Sequence, residues 1–279
     1  MWHTGRRKAG STGKNPGRTP EKLRSLPGSG GGKSTCFHNP ILHHPMKITV
    51  IYGTSRTEKS STYNIAQQFL AELADGDPVT EFHLPRDMPA FCTGCFNCFS
   101  DTTTCPHYKY IQPIEEAMQN ADLIIITAPV YVFHVPGQVK ALLDHFGCRW
   151  MGHKPNPQMF RKQALFIITA AKAGMRSAAK DIQDSFDWWG VGRTYGFKNA
   201  VLAGEWTEVT DKSKAAFAQE VKKTARKIQR QQGAGPRLKV RMLFYLMRFV
   251  QKKYRFIESD AAYWEENGWL DGKIPWKDA

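Results

Sequence analysis

Short apolar strands alternate with amphipathic helices through residues 46–235, and this alternation constrains the fold more than any other feature of the chain. Residues 123–126 form a continuous apolar run, which is typical of a strand covered on both faces, as in parallel sheets. Five strands are predicted, at 47–52, 79–84, 121–130, 164–170 and 195–202. Helices are predicted between and after them, near 60–74, 111–120, 136–147, 176–189 and 211–231. This order predicts an α/β fold, a doubly wound five-stranded parallel sheet with helices on both faces.

The loops at the carboxyl ends of the strands are the expected ligand site in such a sheet, because they meet where the strand order reverses. Three loops fall there, at 53–61, 129–136 and 170–175. In the first loop Gly53 permits a tight turn, the following Ser and Thr hydroxyls offer hydrogen bonds, and Arg56 adds a positive charge. These are the features of a phosphate site, and an ordinary capped helix after a strand is equally consistent with them.

Four of the six cysteines lie within residues 92–105, with the spacing C-x2-C-x2-C-x6-C. Cysteines two residues apart direct their sulfurs into one volume, which is the geometry that an iron–sulfur cluster or a metal needs. One interpretation is therefore a four-iron four-sulfur cluster, a second is a set of free or redox-active thiols, and a four-thiolate zinc site is a weaker third. The candidate ligands are Cys92, Cys95, Cys98 and Cys105.

The formal net charge of +14 is concentrated near the amino terminus, where residues 1–45 carry eight Lys or Arg and a single acid, Glu21. This segment is rich in Gly, Ser and Pro and has almost no apolar periodicity, so we expect residues 1–45 to form a disordered basic tail. Nucleic-acid binding is the least favoured function, because it would need the basic residues to be concentrated on the folded domain.

The composition, with 41% hydrophobic residues in a chain of 279, is sufficient for a substantial core. The sequence contains no apolar run of ~18 residues that would predict a transmembrane helix. The basic amino terminus lacks the apolar stretch of a secretory signal, and clustered cysteines suit a reducing compartment. We therefore expect a cytoplasmic protein.

Residues 236–279 are predicted to form a helical extension to a domain at 46–235. Within residues 241–255 one helical stripe is apolar, and it consists of Leu243, Leu246, Met247, Val250 and Tyr254. The opposite side is basic, with Arg241, Arg248, Lys252 and Arg255. Docking of this helix on its own domain or on a second subunit is favoured over binding to an anionic membrane surface.

Several of these segments resemble the NADPH-dependent FMN reductases and related flavodoxin-like oxidoreductases. Residues 53–62 are similar to the Gly-Ser-x-Arg…Ser-Asn-Thr phosphate loop of that family, with Ser61 in place of asparagine. Residues 128–133 resemble its Ser-Pro-x-Tyr flavin-contacting turn, with Ala128 in place of serine. The cysteine run is similar to that of the iron–sulfur flavoproteins, a branch of the same group, and residues 263–270 match a late segment of the family.

The resemblance implies a flavodoxin-like fold that binds FMN. The FMN phosphate would be held by Ser55, Arg56, Ser60, Ser61 and Thr62. The isoalloxazine ring would lie against Pro129, Val130, Tyr131 and Val132, with Ala170 and Gly174 in the next loop beside it. Phe133 could also pack on the ring, and His134 is a candidate for the substrate pocket.

We therefore expect an FMN-dependent oxidoreductase that takes hydride from NADPH or NADH and reduces a small acceptor such as a quinone, a nitro compound or a flavin. No catalytic side chain is predicted, because hydride transfer is the chemistry of the cofactor. A homodimer is expected, since flavin sites in this family are often completed by a partner subunit. The main alternative is an iron–sulfur flavoprotein that carries electrons between proteins.

Overall fold

A computed structural model describes residues 46–74 and 76–277, and the prediction made for residues 1–45 lies outside this part of the chain. The fold is built on one five-stranded sheet with the strand order β2-β1-β3-β4-β5. All neighbouring strands are parallel. The strands are β1 (Ile48–Tyr52), β2 (Val79–His83), β3 (Leu123–Pro129), β4 (Gln163–Ala170) and β5 (Arg193–Ala200). The α/β prediction is confirmed, and this strand order is that of flavodoxin-like folds.

The predicted helices are present within a few residues of their expected limits. They are α1 (Ser61–Leu73), α3 (Tyr108–Asn120), α4 (Gly137–His145), α5 (Met175–Trp188), α6 (Asp211–Arg230) and α7 (Leu238–Lys253). The short α2 (Asn97–Ser100) inside the cysteine run was not predicted, and α8 (Glu258–Glu266) lies within the predicted helical extension at 236–279. No helix of the described residues is long and apolar enough to cross a membrane.

The sheet is covered on both faces, as the apolar run at 123–126 predicted. Leu123 and Ile125 belong to the core that packs against α1 and α6. Ile124 and Ile126 belong to the core that packs against α3, α4 and α5. Successive side chains of a strand point to opposite faces, so a doubly covered strand must be apolar at every position.

A third core joins the carboxyl-terminal helices to the rest of the chain. It consists of Met151, Phe160, Val240, Phe244, Trp264, Trp269 and Leu270. Phe244 lies at its centre, with its ring 5.1 Å from that of Trp264 and 5.6 Å from that of Trp269. The docking of α7 on its own chain is therefore confirmed.

The stripe predicted to make this contact was partly wrong. Leu246 and Tyr254 are exposed, whereas Val240, Phe244 and Gln251 are buried. The helix has apolar side chains on two faces, and the sequence pattern of α7 alone does not indicate which face the aromatic residues of the third core will cover.

Candidate functional site at the carboxyl edge of the sheet

Loops from neighbouring strands meet at the carboxyl edge of the sheet, between β1 and β3. The register pairs Tyr52 with Thr127 and Pro129 with Thr169, so β1, β3 and β4 end side by side. The chain passes from β1 to β2 on one side and later returns to β3 on the other side. This is the point at which the strand order reverses, where α/β folds of this kind bind their ligands.

Gly53 holds the first loop tightly against β3. Its N–H donates to the Thr127 carbonyl over 2.8 Å, and its own carbonyl accepts from Nε2 of Gln138 over 3.0 Å. A Cβ at this position would lie 2.3 Å from the Thr127 carbonyl oxygen and 2.4 Å from a methyl of Val139. Only glycine therefore allows this close approach between the loop and β3.

The same loop leads into an open helix amino terminus. Ser60 precedes α1, and no side chain of the described residues caps this end of the helix. The Ser60 and Thr62 hydroxyls are buried and lie 2.7 Å apart, while Ser55 is exposed and Ser61 is half-buried. The first backbone N–H groups of a helix have no intrahelical partners, and together with the helix dipole they favour an anion.

Two basic side chains stand beside this helix end, and both face a carboxylate. Nη2 of Arg56 and Nζ of Lys59 lie 3.4 Å and 3.3 Å from the same Glu205 oxygen. Glu205 follows β5 and caps a short turn at Trp206–Glu208. No local sequence pattern predicts the role of Glu205, because Arg56 and Glu205 are 149 residues apart.

The second loop forms a tight turn that projects apolar side chains into solvent. Tyr131 and His134 exchange backbone hydrogen bonds of 3.0 Å and 3.1 Å. Val132 and Phe133 lie between them at φ angles of 46° and 68°. Tyr131, Val132 and Phe133 are 47%, 92% and 62% exposed. A β-branched residue with a positive φ is uncommon and strained, and such residues cluster at ligand sites.

The third loop packs directly under this turn. Gly174 has a φ of 88°, and a Cβ there would lie 2.7 Å from both the Phe133 Cα and a methyl of Val130. Ala170, at the end of β4, is buried, and the N–H of Val130 donates to the Thr169 carbonyl over 2.8 Å. The structure therefore brings the segments predicted for the flavin ring, at 129–132 and 170–174, into contact with each other.

His134 is held by a partner that lies far from it in the sequence. Its Nδ1 lies 3.0 Å from Oδ2 of Asp181, a residue of α5. The imidazole is mostly exposed at the side of the turn. Its position is compatible with the predicted substrate pocket, and the prediction stays a prediction.

The four predicted cysteine ligands differ in their exposure to solvent. Cys92 and Cys95 are exposed, while Cys98 and Cys105 are half-buried. Among the described residues, no group of three or more His, Cys, Asp or Glu side chains is placed to hold a metal ion. The cluster and the free or redox-active thiols therefore both stay predictions.

Cys98 instead faces Cys148, the buried cysteine that follows α4. The two thiols are within hydrogen-bonding reach of each other. Burial raises the pKa of the Cys148 thiol to about 12, and the neighbouring Cys98 adds to the increase. Burial also raises the pKa of Cys98. Both side chains line a small cavity, together with Cys105 and His145, with room for about one water molecule. Cys98 and Cys148 are therefore protonated thiols near neutral pH.

Comparison with known proteins identifies the family. The family model for NADPH-dependent FMN reductase matches residues 46–208, which span the first loop, the cysteine run, the apolar turn and the third loop. The chain belongs to this family. The NADPH-dependent FMN reductases are flavin-dependent oxidoreductases, and the fold and the loop positions described above agree with this membership.

Individual relatives extend the comparison. The chain is 31% identical over 145 residues to an iron–sulfur flavoprotein of Methanocaldococcus jannaschii, covering 50% of this chain and 71% of that protein. It is 22% identical over 230 residues to an iron–sulfur flavoprotein of Archaeoglobus fulgidus, covering 81% of this chain and all of that protein. Among solved structures, an azoreductase of Bacillus anthracis superposes with a TM-score of 0.50 at 13% identity, covering 65% of this chain and 99% of that one. This last likeness concerns the fold alone.

Proposed function

We propose that this member of the FMN reductase family binds FMN at the carboxyl edge of its sheet and uses it to transfer hydride from NADPH or NADH to a small acceptor. The observation that carries the proposal is the convergence of a glycine-dependent loop, an uncapped helix end and an exposed apolar turn at one edge. Each of these features suits a different part of FMN.

The amino terminus of α1 supplies the phosphate site in this proposal. Backbone N–H groups of Ser61 and Thr62 point along the helix axis, and the hydroxyls of Ser55 and Ser60 lie nearby in the chain. Arg56 would contribute a charged hydrogen bond after leaving Glu205. A phosphate dianion is a stronger partner for the guanidinium than an exposed carboxylate, since exposed ion pairs contribute only ~0.2–1 kcal/mol.

The turn after β3 supplies the ring site. Pro129, Val130, Tyr131 and Val132 present an apolar surface that the planar isoalloxazine could cover, and Gly174 lets the neighbouring backbone approach. FMN, when bound, supplies the hydride chemistry. The chain would hold the ring in position, keep water from one of its faces and leave the other face to the nicotinamide and then to the acceptor.

The acceptor in this proposal is a small oxidant such as a quinone, a nitro compound or a flavin. His134 lies at the side of the exposed turn and could contact either substrate. We also propose that the protein acts as a homodimer, because Val132 and Phe133 would leave a large apolar surface open to water in a monomer.

A second candidate function, electron transfer between proteins through an iron–sulfur cluster, is favoured by two observations. Four relatives carry the name iron–sulfur flavoprotein. The chain also has four cysteines at compact spacing in residues 92–105. Against it, no group of three or more His, Cys, Asp or Glu side chains of the described residues is placed to hold a metal ion.

Anaerobic purification followed by cofactor analysis tests the proposal. The purified protein should be yellow, and denaturation should release FMN rather than FAD. A flavin reductase should contain no stoichiometric iron or sulfide and should oxidise NAD(P)H steadily with a quinone or nitro compound. An electron carrier should contain iron and sulfide and react slowly with nicotinamide. A colourless protein that gains no flavin spectrum on titration with FMN would refute both functions.

A further inference from the structure

Helix α7 has a second apolar face that the structure leaves uncovered. Its inner face, with Val240 and Phe244, belongs to the third core. The residues on the opposite side are between 42% and 69% exposed, and they are Leu238, Met242, Tyr245, Leu246 and Phe249. These positions recur every three or four residues, so they form one stripe along the helix. At 100° per residue the stripe lies about 180° from the buried face.

The apolar surface continues beyond the end of the helix. The rings of Phe249 and Tyr254 are 6.4 Å apart, and Tyr254 stacks on Phe256 at 5.3 Å with nearly parallel planes. Both Tyr254 and Phe256 are exposed. We call this set the outer α7 face, consisting of Leu238, Met242, Tyr245, Leu246, Phe249, Tyr254 and Phe256. Single exposed apolar residues are ordinary, but seven in one continuous patch indicate a binding surface.

The borders of the outer α7 face are strongly basic. Residues 237–257 carry seven Lys or Arg and no Asp or Glu. Arg241 and Lys252 lie along one side of the stripe and Lys253 lies at its carboxyl-terminal end, and all three lack an ion-pair partner among the described residues. The Lys253 ammonium lies over the rings of Phe249 and Tyr254, at 5.6 Å and 5.3 Å from their centres. Long basic side chains can thus extend beyond an apolar surface towards anionic groups.

We propose that the outer α7 face binds the surface of an anionic phospholipid membrane, with the helix lying in the plane of the interface. Its apolar stripe would enter the boundary between headgroups and acyl chains, and its basic borders would contact the lipid phosphates. A second copy of the chain complements this face poorly. A two-fold contact between two outer α7 faces would bring basic borders together without acidic partners.

This proposal is independent of the proposed function. The outer α7 face lies in the carboxyl-terminal extension, outside the loops assigned to FMN at 53–62, 129–132 and 170–174. The test therefore reads membrane binding alone and can be made on the full chain whether or not flavin is bound.

Vesicle flotation is the test, with phosphatidylcholine vesicles and with vesicles that contain about one third phosphatidylglycerol. The full chain should float with the anionic vesicles and not with the neutral ones. The triple variant Arg241→Gln, Lys252→Gln, Lys253→Gln should bind about a hundredfold more weakly, since each basic side chain near an anionic surface contributes about a fivefold increase in binding. The double variant Leu246→Gln, Phe249→Gln should bind at least about tenfold more weakly, since it removes the apolar contact.

A charge-matched control on α6 distinguishes binding by the outer α7 face from nonspecific attraction of a basic protein to anionic vesicles. The variant Lys212→Gln, Lys223→Gln, Arg226→Gln also removes two lysines and one arginine from exposed positions, and it should bind like the parent. All variants retain residues 1–45, so any binding by that basic segment is common to them. Their thermal unfolding midpoints should match the parent, because the altered side chains are exposed.

Three outcomes would overturn the proposal. The first is a full chain that binds neither kind of vesicle. The second is binding that the α7 variants leave unchanged or that the α6 variant weakens equally. The third is a parent protein that does not bind vesicles and is dimeric by light scattering, while the double variant Leu246→Gln, Phe249→Gln is monomeric. This result would identify the outer α7 face as an interface between copies of the chain.

Discussion

Arg56 illustrates how a residue predicted from a motif acquires a partner that the motif does not contain. The loop pattern predicts that Arg56 holds phosphate, and the structure places its guanidinium 3.4 Å from Glu205. Lys59 shares that carboxylate. Phosphate binding would therefore compete with a weak, half-exposed ion pair, and the balance between the two can be measured.

Arg56→Ala should weaken FMN binding about tenfold to a hundredfold, because a charged hydrogen bond contributes ~1.5–3 kcal/mol. Glu205→Gln should strengthen FMN binding by up to about fivefold, since it frees Arg56 and removes a negative charge near the phosphate. Fluorescence titration of the flavin-free protein measures both.

Riboflavin, which lacks the phosphate, is the control ligand for this pair of variants. It should bind the parent, Arg56→Ala and Glu205→Gln about equally. If Arg56→Ala weakened riboflavin as much as FMN, Arg56 would shape the loop rather than bind phosphate, and the assignment would be wrong.

The cysteines differ in exposure and should differ in reactivity. At neutral pH a maleimide should label the exposed Cys92 and Cys95 quickly, as read by peptide mass spectrometry. Cys148 should react slowly until the protein unfolds, because burial limits access and raises its pKa to about 12. Fast labelling of Cys148 in the folded protein, or protection of Cys92 and Cys95 together, would contradict this arrangement of the loop.

Gly174 in the third loop and Gly137 at the start of α4 should differ in how replacement by alanine changes the free energy of unfolding. Gly174→Ala should lower the free energy of unfolding by ~1–3 kcal/mol, because φ is positive and the new methyl group would meet the Phe133 backbone. It should also weaken FMN binding by displacing the turn at 131–134.

The matched control is Gly137→Ala at the start of α4. No atom of the described residues lies within 4 Å of a Cβ there, and helical alanine is favoured over glycine. Its unfolding free energy should stay equal or rise slightly. Equal stability of the Gly174→Ala and Gly137→Ala variants would show that the third loop does not pack under the turn.

The elements of the sheet could be predicted because their signals are local. A doubly covered strand is apolar throughout, as at 123–126, and each helix that packs on the sheet repeats its apolar residues with a period near 3.6. Helix α8 was predicted only as part of a helical extension and without bounds of its own, because its core contact depends on few residues, chiefly Trp264. The sequence did not predict which face of α7 is buried, because the helix is apolar on two sides.

The candidate site could be predicted only in part, because only some of its contacts follow from local signals in the sequence. Loops at the ends of parallel strands converge, so the segments at 53–62, 129–132 and 170–174 followed from strand order. Contacts between residues far apart in the sequence could not be predicted from strand order. Examples are the contacts of Arg56 with Glu205 and of His134 with Asp181. The cysteine spacing suggested a shared site for a cluster or a metal, and among the described residues no group of side chains is placed to hold a metal ion.

At the scale of the whole molecule, the third core determines whether the carboxyl-terminal extension unfolds with the sheet. Phe244→Ala should cost ~3–5 kcal/mol, because Phe244 is fully buried among Trp264, Trp269 and Trp276. Phe249→Ala, on the exposed side of the same helix, should cost under about 1 kcal/mol.

Thermal unfolding followed by circular dichroism and by tryptophan fluorescence measures both variants. Coincident transitions that shift together in Phe244→Ala would show that the extension and the sheet unfold as one unit. A separate early transition confined to tryptophan fluorescence would instead support the boundary predicted near residue 235.

The proposed role of the carboxyl edge of this sheet is to hold FMN for reduction by a nicotinamide. Anaerobic mixing of the FMN-bound protein with NADPH or NADH, followed by visible absorbance, tests it most directly. We predict rapid bleaching of the flavin band by at least one nicotinamide and its return when a quinone is added. Bleaching by dithionite but by neither nicotinamide would contradict the account.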